Sequence, residues 1–186
     1  MVHLAKSFFY FIIVYTSYKI TLKVKSETSK WILYNIVVCF AVYWLSNLVL
    51  WYPWSVNETL GQILMLTMNP LLWGFASYSC IIRYPKPGII NGVLLNTLIF
   101  VVEAIASDLI FFVVIRNSRD KLMHVTTLYA WGFVMFFPFI IFFVFRKLII
   151  RNKKQLAISD FWKPLSIGLI SFVVITMILL FNIKFD

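Results

Sequence analysis

The residues of this sequence best suited to chemistry interrupt one long apolar stretch. Residues 88–115 are almost entirely apolar, yet they contain Asn96, Glu103 and Asp108. A carboxylate near the centre of a bilayer costs several kcal/mol unless it is protonated, paired with a cation or hydrated. If this stretch crosses a membrane, Glu103 must therefore either meet a cationic group or carry a proton. These polar residues are the first candidates for a binding site.

Their spacing predicts a polar stripe along one face of a helix. Each residue advances a helix by about 100°, so residues three, four or seven apart lie on the same face. Gly92, Asn96, Glu103 and Ser107 follow this spacing, whereas Asp108 points roughly 140° away from Glu103. The stripe has two possible roles: it hydrogen-bonds to neighbouring helices, or it forms part of a functional site.

A second polar interruption lies in the preceding apolar stretch, at Asn69, Pro70 and Gly74. Proline removes a hydrogen bond within a helix and kinks it, which frees backbone carbonyl groups for water, a side chain or a ligand. Interrupted helices build binding sites in transporters, although packed kinks are the commoner case. Residues 83–88 form a tight connection, so the two stretches are expected to be antiparallel neighbours.

These two interruptions together predict one intramembrane site for a substrate or an ion. The predicted binding residues are Glu103, Asn96, Asn69, Asp108 and Ser107, and the aromatic residues available as walls are Trp73, Tyr78, Tyr43 and Trp44.

The composition indicates that membrane helices position these residues. Of the 186 residues, 62% are hydrophobic, 19% aromatic and only 13% charged, unlike the usage of soluble domains. We predict an all-α polytopic membrane protein, with about six transmembrane helices in one compact bundle that forms a single domain over residues 1–186. The predicted spans are residues 4–22, 31–52, 60–82, 88–115, 125–146 and 164–183, with Pro53 ending the second.

The net charge of +10 comes mainly from the connections between apolar stretches. Lysine and arginine are concentrated in residues 23–30, 83–87 and 146–163, which a protein with six spans places on one side. Cytoplasmic connections carry such an excess, so both termini are expected outside a cell (inner) membrane. Residues 146–163 are expected to lie against anionic lipid headgroups; docking of a membrane or cytoplasmic partner subunit is the alternative, and nucleic acid is not expected.

Motifs for enzyme chemistry are not found. The histidines are His3 and His124, the cysteines Cys39 and Cys80 lie in apolar stretches, and their spacing is not that of metal ligands, so no metal or cofactor is expected. Hydrolase, metalloprotease and phosphate-loop signatures are also missing. Asp120 and His124 have helical spacing, but such a pair more often forms a local ion pair than a catalytic site. An enzyme is therefore not the favoured class.

The polar stretches favour an integral membrane protein that binds or transports a small solute or ion through a site on the third and fourth predicted helices. An alternative is a non-catalytic accessory or assembly subunit of a larger membrane complex, in which the stripe contacts a partner helix. A small lipid-acting membrane enzyme is the second alternative, and it would require His124 or Asp120 for activity.

Overall fold

The computed structural model describes residues 27–119 and 122–180, and within these ranges helices joined by short connections are the secondary structure. The first predicted span, residues 4–22, lies outside those ranges. The helices are α1 (Glu27–Val56), α2 (Glu58–Ile81), α3 (Ile89–Asp108), α4 (Val125–Arg151) and α5 (Ser159–Leu180), and a π-helix at Leu109–Ile115 continues α3 directly.

Four of these segments are long and apolar enough to cross a membrane: Glu27–Leu50, Ile89–Ile115, Val125–Arg151 and Ser159–Leu180. They support the prediction of a helical membrane protein. α2 is not among the four. Its sequence is interrupted by Gln62, Thr67 and Asn69, which lower its mean hydropathy.

α1 lies at the centre of the bundle, where it packs against α5, α2 and α3. Its Trp44 is 1% exposed and lies edge-on to Phe172 of α5, with ring centroids 4.6 Å apart. Gly168 allows the two helices to approach closely, because a Cβ atom there would lie 2.5 Å from the Phe40 ring and 3.0 Å from the Cα of Ala41. α4 closes the other side of the bundle against α3 and α2.

The basic connections meet at one end of the bundle, which we call the basic end: residues 82–88 between α2 and α3, and residues 152–158 between α4 and α5. The backbone N–H of Lys154 donates to the carbonyl of Ile82 at 3.0 Å, and Lys153 Nζ donates to the carbonyl of Lys86 at 2.8 Å. Arg83 forms an ion pair with Asp160 at 3.2 Å. The basic end is therefore held together by specific contacts.

The boundaries of α1 differ from the prediction. The helix begins at Glu27 and includes Pro53, which was expected to end it, before stopping at Val56. Proline near the carboxyl end of a helix leaves only one intrahelical acceptor without its usual donor, so the helix continues. Asn57 separates α1 from α2, and its Oδ1 accepts a hydrogen bond from the N–H of Leu60 at 3.1 Å.

The fourth predicted span, residues 88–115, also differs from one regular helix. Its α-helical part ends at Asp108, and the π-helix carries the chain to Ile115. The backbone N–H of Arg116 donates to the carbonyl of Phe111 at 3.0 Å, five residues earlier. Asn117 then takes a left-handed conformation with φ of 50°, which ends the helical path.

The predicted basic segment 146–163 is divided between two helices. α4 continues through Phe145, where the backbone leaves helical geometry with φ of −105° and ψ of 18°, and ends at Arg151. α5 begins at Ser159, five residues before the predicted span. Asp160, in the first turn of α5, accepts a hydrogen bond from the N–H of Ala157 at 2.9 Å, and this contact stabilises the start of the helix.

Candidate functional site

Asp108, the last residue of α3, joins three helices through its carboxyl group. The hydroxyl of Tyr43 on α1 donates to Oδ1 at 2.5 Å, and Nε1 of Trp131 on α4 donates to Oδ2 at 2.6 Å. The side chain of Asp108 is only 8% exposed. Neither ion pair found within residues 27–119 and 122–180 involves Asp108. This arrangement places a carboxyl group, held by two uncharged donors, inside the bundle.

A cleft with a volume of about 200 Å³ lies beside this carboxyl group, between α1, α2, α3 and α4. Its polar lining residues are Ser46, Asn47, Asn69, Asp108, Thr126 and Thr127. Its aromatic lining residues are Tyr43, Trp73, Phe112, Trp131 and Phe133. We call this space the Asp108 cavity. It combines hydrogen-bonding groups with a mainly apolar wall, which is the usual character of a small-molecule site.

Two polar atoms of the cavity lining are buried without a hydrogen-bond partner within the described ranges. They are the hydroxyl oxygen of Ser46 and the side-chain carbonyl oxygen of Asn69. Ser46 is only 4% exposed. Leaving such an atom unsatisfied costs about 1–3 kcal/mol, so a hydrogen-bonding molecule in the cavity would relieve that cost.

The five residues predicted for one site divide into two groups. Asn69 and Asp108 line the Asp108 cavity, whereas Asn96, Glu103 and Ser107 are not among its lining residues. Asn96 is fully buried, and its Nδ2 donates to Oδ1 of Asn35 on α1 at 2.6 Å. This contact uses part of the polar stripe to join α3 to α1.

Glu103 also lies against α1, close to the thiol of Cys39 and the backbone of Phe40. Its Oε2 is buried and has no hydrogen-bond partner in the part of the chain described. Ser107, one helical turn later, is 5% exposed. Asn96 and Glu103 of the stripe therefore lie at the interface between α1 and α3. Asp108 follows Ser107 directly and is rotated about 100° around the helix from it, so its carboxyl group faces the cavity instead.

The predicted aromatic walls divide in the same way. Tyr43 and Trp73 line the cavity. Trp44 instead lies in the core against α5, and the hydroxyl of Tyr78 accepts a hydrogen bond from Nδ2 of Asn152 at 3.1 Å, near the basic end.

Several lining residues were missed by the sequence-based prediction. Ser46 and Asn47 follow Tyr43 at three and four residues, a helical spacing that was visible in the sequence. Asn47 Nδ2 donates to the carbonyl of Tyr43 at 3.0 Å. Trp131 gave no such signal, because its approach to Asp108 depends on how α3 and α4 pack together.

Residues 27–119 and 122–180 contain no group of three or more His, Cys, Asp or Glu side chains placed to hold a metal ion. His124 caps the start of α4, where its Nδ1 accepts from the N–H of Thr126 at 3.4 Å. Asp120, its predicted acidic partner, lies outside the described residues.

No family model, no curated protein and no solved structure matches this chain. The residues around Asp108 are therefore the basis for proposing a function. They provide a carboxyl group, two unsatisfied polar atoms and several aromatic side chains along one partly open cleft. Such a set can hold a small molecule by hydrogen bonds and by contact with aromatic rings.

Proposed function

We propose that this is a multi-pass membrane protein that binds a small solute in the Asp108 cavity, either for transport or as the membrane subunit of a larger carrier. The observation that carries the proposal is the buried Asp108 carboxyl group, held by Tyr43 and Trp131 at the wall of a cavity. Buried acidic groups in membrane helices are costly, and they commonly mark pathways for substrates or ions.

The two unsatisfied lining atoms add to this support. Ser46 and Asn69 lie on different helices, yet both line the Asp108 cavity. Nδ2 of Asn96 joins two helices by donating to Asn35, and Oδ1 of Asn96 is itself buried without a partner within the described ranges. Ser46 and Asn69 differ from Asn96 in that both line one cleft, where a single hydrogen-bonding solute would reach both atoms.

The π-helix next to Asp108 is a further supporting feature. π-helical turns are rare and often occur at functional sites. Here the change from α to π geometry follows immediately after Asp108, and the π-helix contributes Phe112 to the cavity wall. A regular α-helix would place Phe112 and the residues after it at different angles relative to Asp108.

The proposed orientation follows from the basic end. In a protein with six spans and both termini outside a cell (inner) membrane, the basic end faces the cytoplasm. The lining residues Leu50 and Thr126 belong to the opposite half of the bundle. Trp131 is six residues into α4, which corresponds to about 9 Å along the helix axis. The solute would therefore enter the cavity from the outer side.

The two alternative functions have weaker support. An assembly subunit was expected to present its polar stripe to a partner helix, but Asn96 uses its side-chain amide within the chain, on Asn35. A lipid-acting enzyme was expected to use His124, whose Nδ1 instead caps α4. Solute binding is the function that accounts for Asp108, Ser46 and Asn69 together.

Native mass spectrometry of the gently extracted protein tests this proposal. We expect the wild type to carry a small molecule that Asp108→Asn loses, while the control Glu58→Gln keeps it, because Glu58 is exposed at the start of α2. Loss in Glu103→Gln but not in Asp108→Asn would assign binding to the polar stripe instead. A stoichiometric partner protein without any small molecule would favour the subunit function.

A further inference from the structure

We infer that the solute is a small organic ammonium ion, with N–H donors at one end and a compact apolar body at the other. This inference rests on the proposed function of the Asp108 cavity. Three properties of the lining lead to it: the sign of its charged groups, the type of its unsatisfied polar atoms and the chemistry of its walls.

The charge of the lining is acidic. Asp108 lines the cavity, and the lining residues include no lysine, arginine or histidine within the described ranges. Its two hydrogen-bond donors, the hydroxyl of Tyr43 and the indole of Trp131, are both uncharged. An anionic solute would face a buried acidic group without a compensating cation, whereas a cationic solute would supply the partner that an ionised carboxylate needs there.

Both unsatisfied atoms can accept a hydrogen bond. The side-chain carbonyl oxygen of Asn69 accepts only, whereas the hydroxyl of Ser46 can accept through its lone pairs or donate its proton. Together with the remaining lone pairs of Asp108, they complement a group that carries several N–H donors. An ammonium group has this property, whereas a quaternary ammonium group has no N–H to donate.

The apolar lining of the Asp108 cavity favours a solute whose apolar part is small. Aromatic rings attract a cation through their faces and contact apolar groups through the same surface. Trp73 and Phe133 supply such rings, and Leu50, Met65 and Val134 complete an aliphatic wall. The cavity volume of about 200 Å³ suits a compact solute.

Three probes of nearly the same shape test the inference: isopentylammonium, isopentyl alcohol and isovalerate. Binding is measured at neutral pH with the protein in lipid nanodiscs, and empty nanodiscs correct for partition into lipid. The fluorescence of Trp73 and Trp131, which both line the cavity, provides the signal. The same three titrations in the exposed-site control Glu58→Gln show whether surface charge alone changes the result.

We expect isopentylammonium to bind at least on the order of tenfold more tightly than the alcohol, with no detectable binding of isovalerate. Asp108→Asn is expected to reduce the affinity for the ammonium ion to that for the alcohol. The wild-type ranking does not depend on the folding of any variant, so it tests the inference even if Asp108→Asn fails to fold.

The outcomes separate this inference from the proposed function. Equal binding of the alcohol and the ammonium ion, abolished by Asn69→Leu, would overturn the substrate class but support the cavity as a binding site. Preference for isovalerate would overturn it as well. If no probe binds, the ammonium class is wrong, and native mass spectrometry then decides whether a different solute occupies the cavity.

Discussion

The hydroxyl of Tyr43 lies 2.5 Å from Oδ1 of Asp108, and this hydrogen bond joins the centre of α1 to the last residue of α3. Trp131 reaches the other oxygen of the same carboxyl group from α4. Removing Asp108 takes this partner from both Tyr43 and Trp131, and removing Tyr43 or Trp131 leaves the buried Asp108 with one of these two donors. The three-helix junction therefore has a structural role in addition to its proposed role in binding.

Tyr43→Phe is expected to destabilise the bundle. The change removes only the hydroxyl group and leaves Asp108 with one donor fewer, a loss of about 1.5–3 kcal/mol for a hydrogen bond to a charged group. Thermal unfolding in detergent measures the effect. The matched control is Tyr129→Phe, because Tyr129 is 72% exposed. Equal stability of the two variants would show that the Tyr43 hydroxyl does not support the junction.

The contact between Asn35 and Asn96 is predicted to be structural. Single replacements by alanine and the double replacement form a mutant cycle, and we expect a coupling energy of about 0.6–2 kcal/mol, the range for hydrogen bonds between membrane helices. The variants that fold should retain the solute, since neither residue lines the Asp108 cavity. If Asn96→Ala lost the solute while its stability stayed unchanged, Asn96 would belong to the binding site.

Gly168→Ala is expected to weaken the packing of α5 on α1. Its added Cβ atom would lie 2.5 Å from the ring of Phe40 and 3.0 Å from the backbone of Ala41, so the helices must separate. Overpacking of this kind costs about 1–3 kcal/mol. Gly132→Ala is the control, because no atom lies within 4 Å of its added Cβ. If thermal unfolding shows similar stability for both variants, the close approach at Gly168 is not required.

The sequence predicted the helical class, and of the five residues proposed for one binding site only Asn69 and Asp108 line the cavity. The spacing of residues separated Asp108 from the stripe of Asn96 and Glu103, and the structure places these residues on different surfaces of α3. The sequence also suggested that Asn69 belongs with the polar residues of the next helix, and Asn69 lines the same cavity as Asp108. Both predictions depend on local helical geometry, which a sequence reports directly.

The partners of these residues could not be predicted in the same way. The contact between Trp131 and Asp108 spans 23 positions and depends on the packing of two helices. The change to π geometry after Asp108 also lacks a local signal, because residues 109–115 are uniformly apolar. A proline in the sequence predicts the end of a helix, but α1 continues past Pro53 to Val56.

The Asp108 cavity is expected to be reached from the outer side of the membrane. Thr126 is exposed and lines the cavity, whereas Lys86 is exposed at the basic end. The native cysteines, Cys39 and Cys80, are both fully buried, so single cysteines introduced at these two positions should react without interference. A thiol reagent that does not cross membranes is expected to label Thr126→Cys from outside intact cells, and Lys86→Cys only after the membrane is opened.

Labelling of both variants from outside would contradict the proposed membrane crossing between them, and the reverse pattern would invert the orientation. If the cavity holds an ammonium solute, isopentylammonium should also slow the labelling of Thr126→Cys, because the probe and the reagent compete for the same space. It should leave the rate at Lys86→Cys unchanged. Slower labelling at both positions would indicate an effect on the membrane, since Thr126 lines the cavity and Lys86 does not.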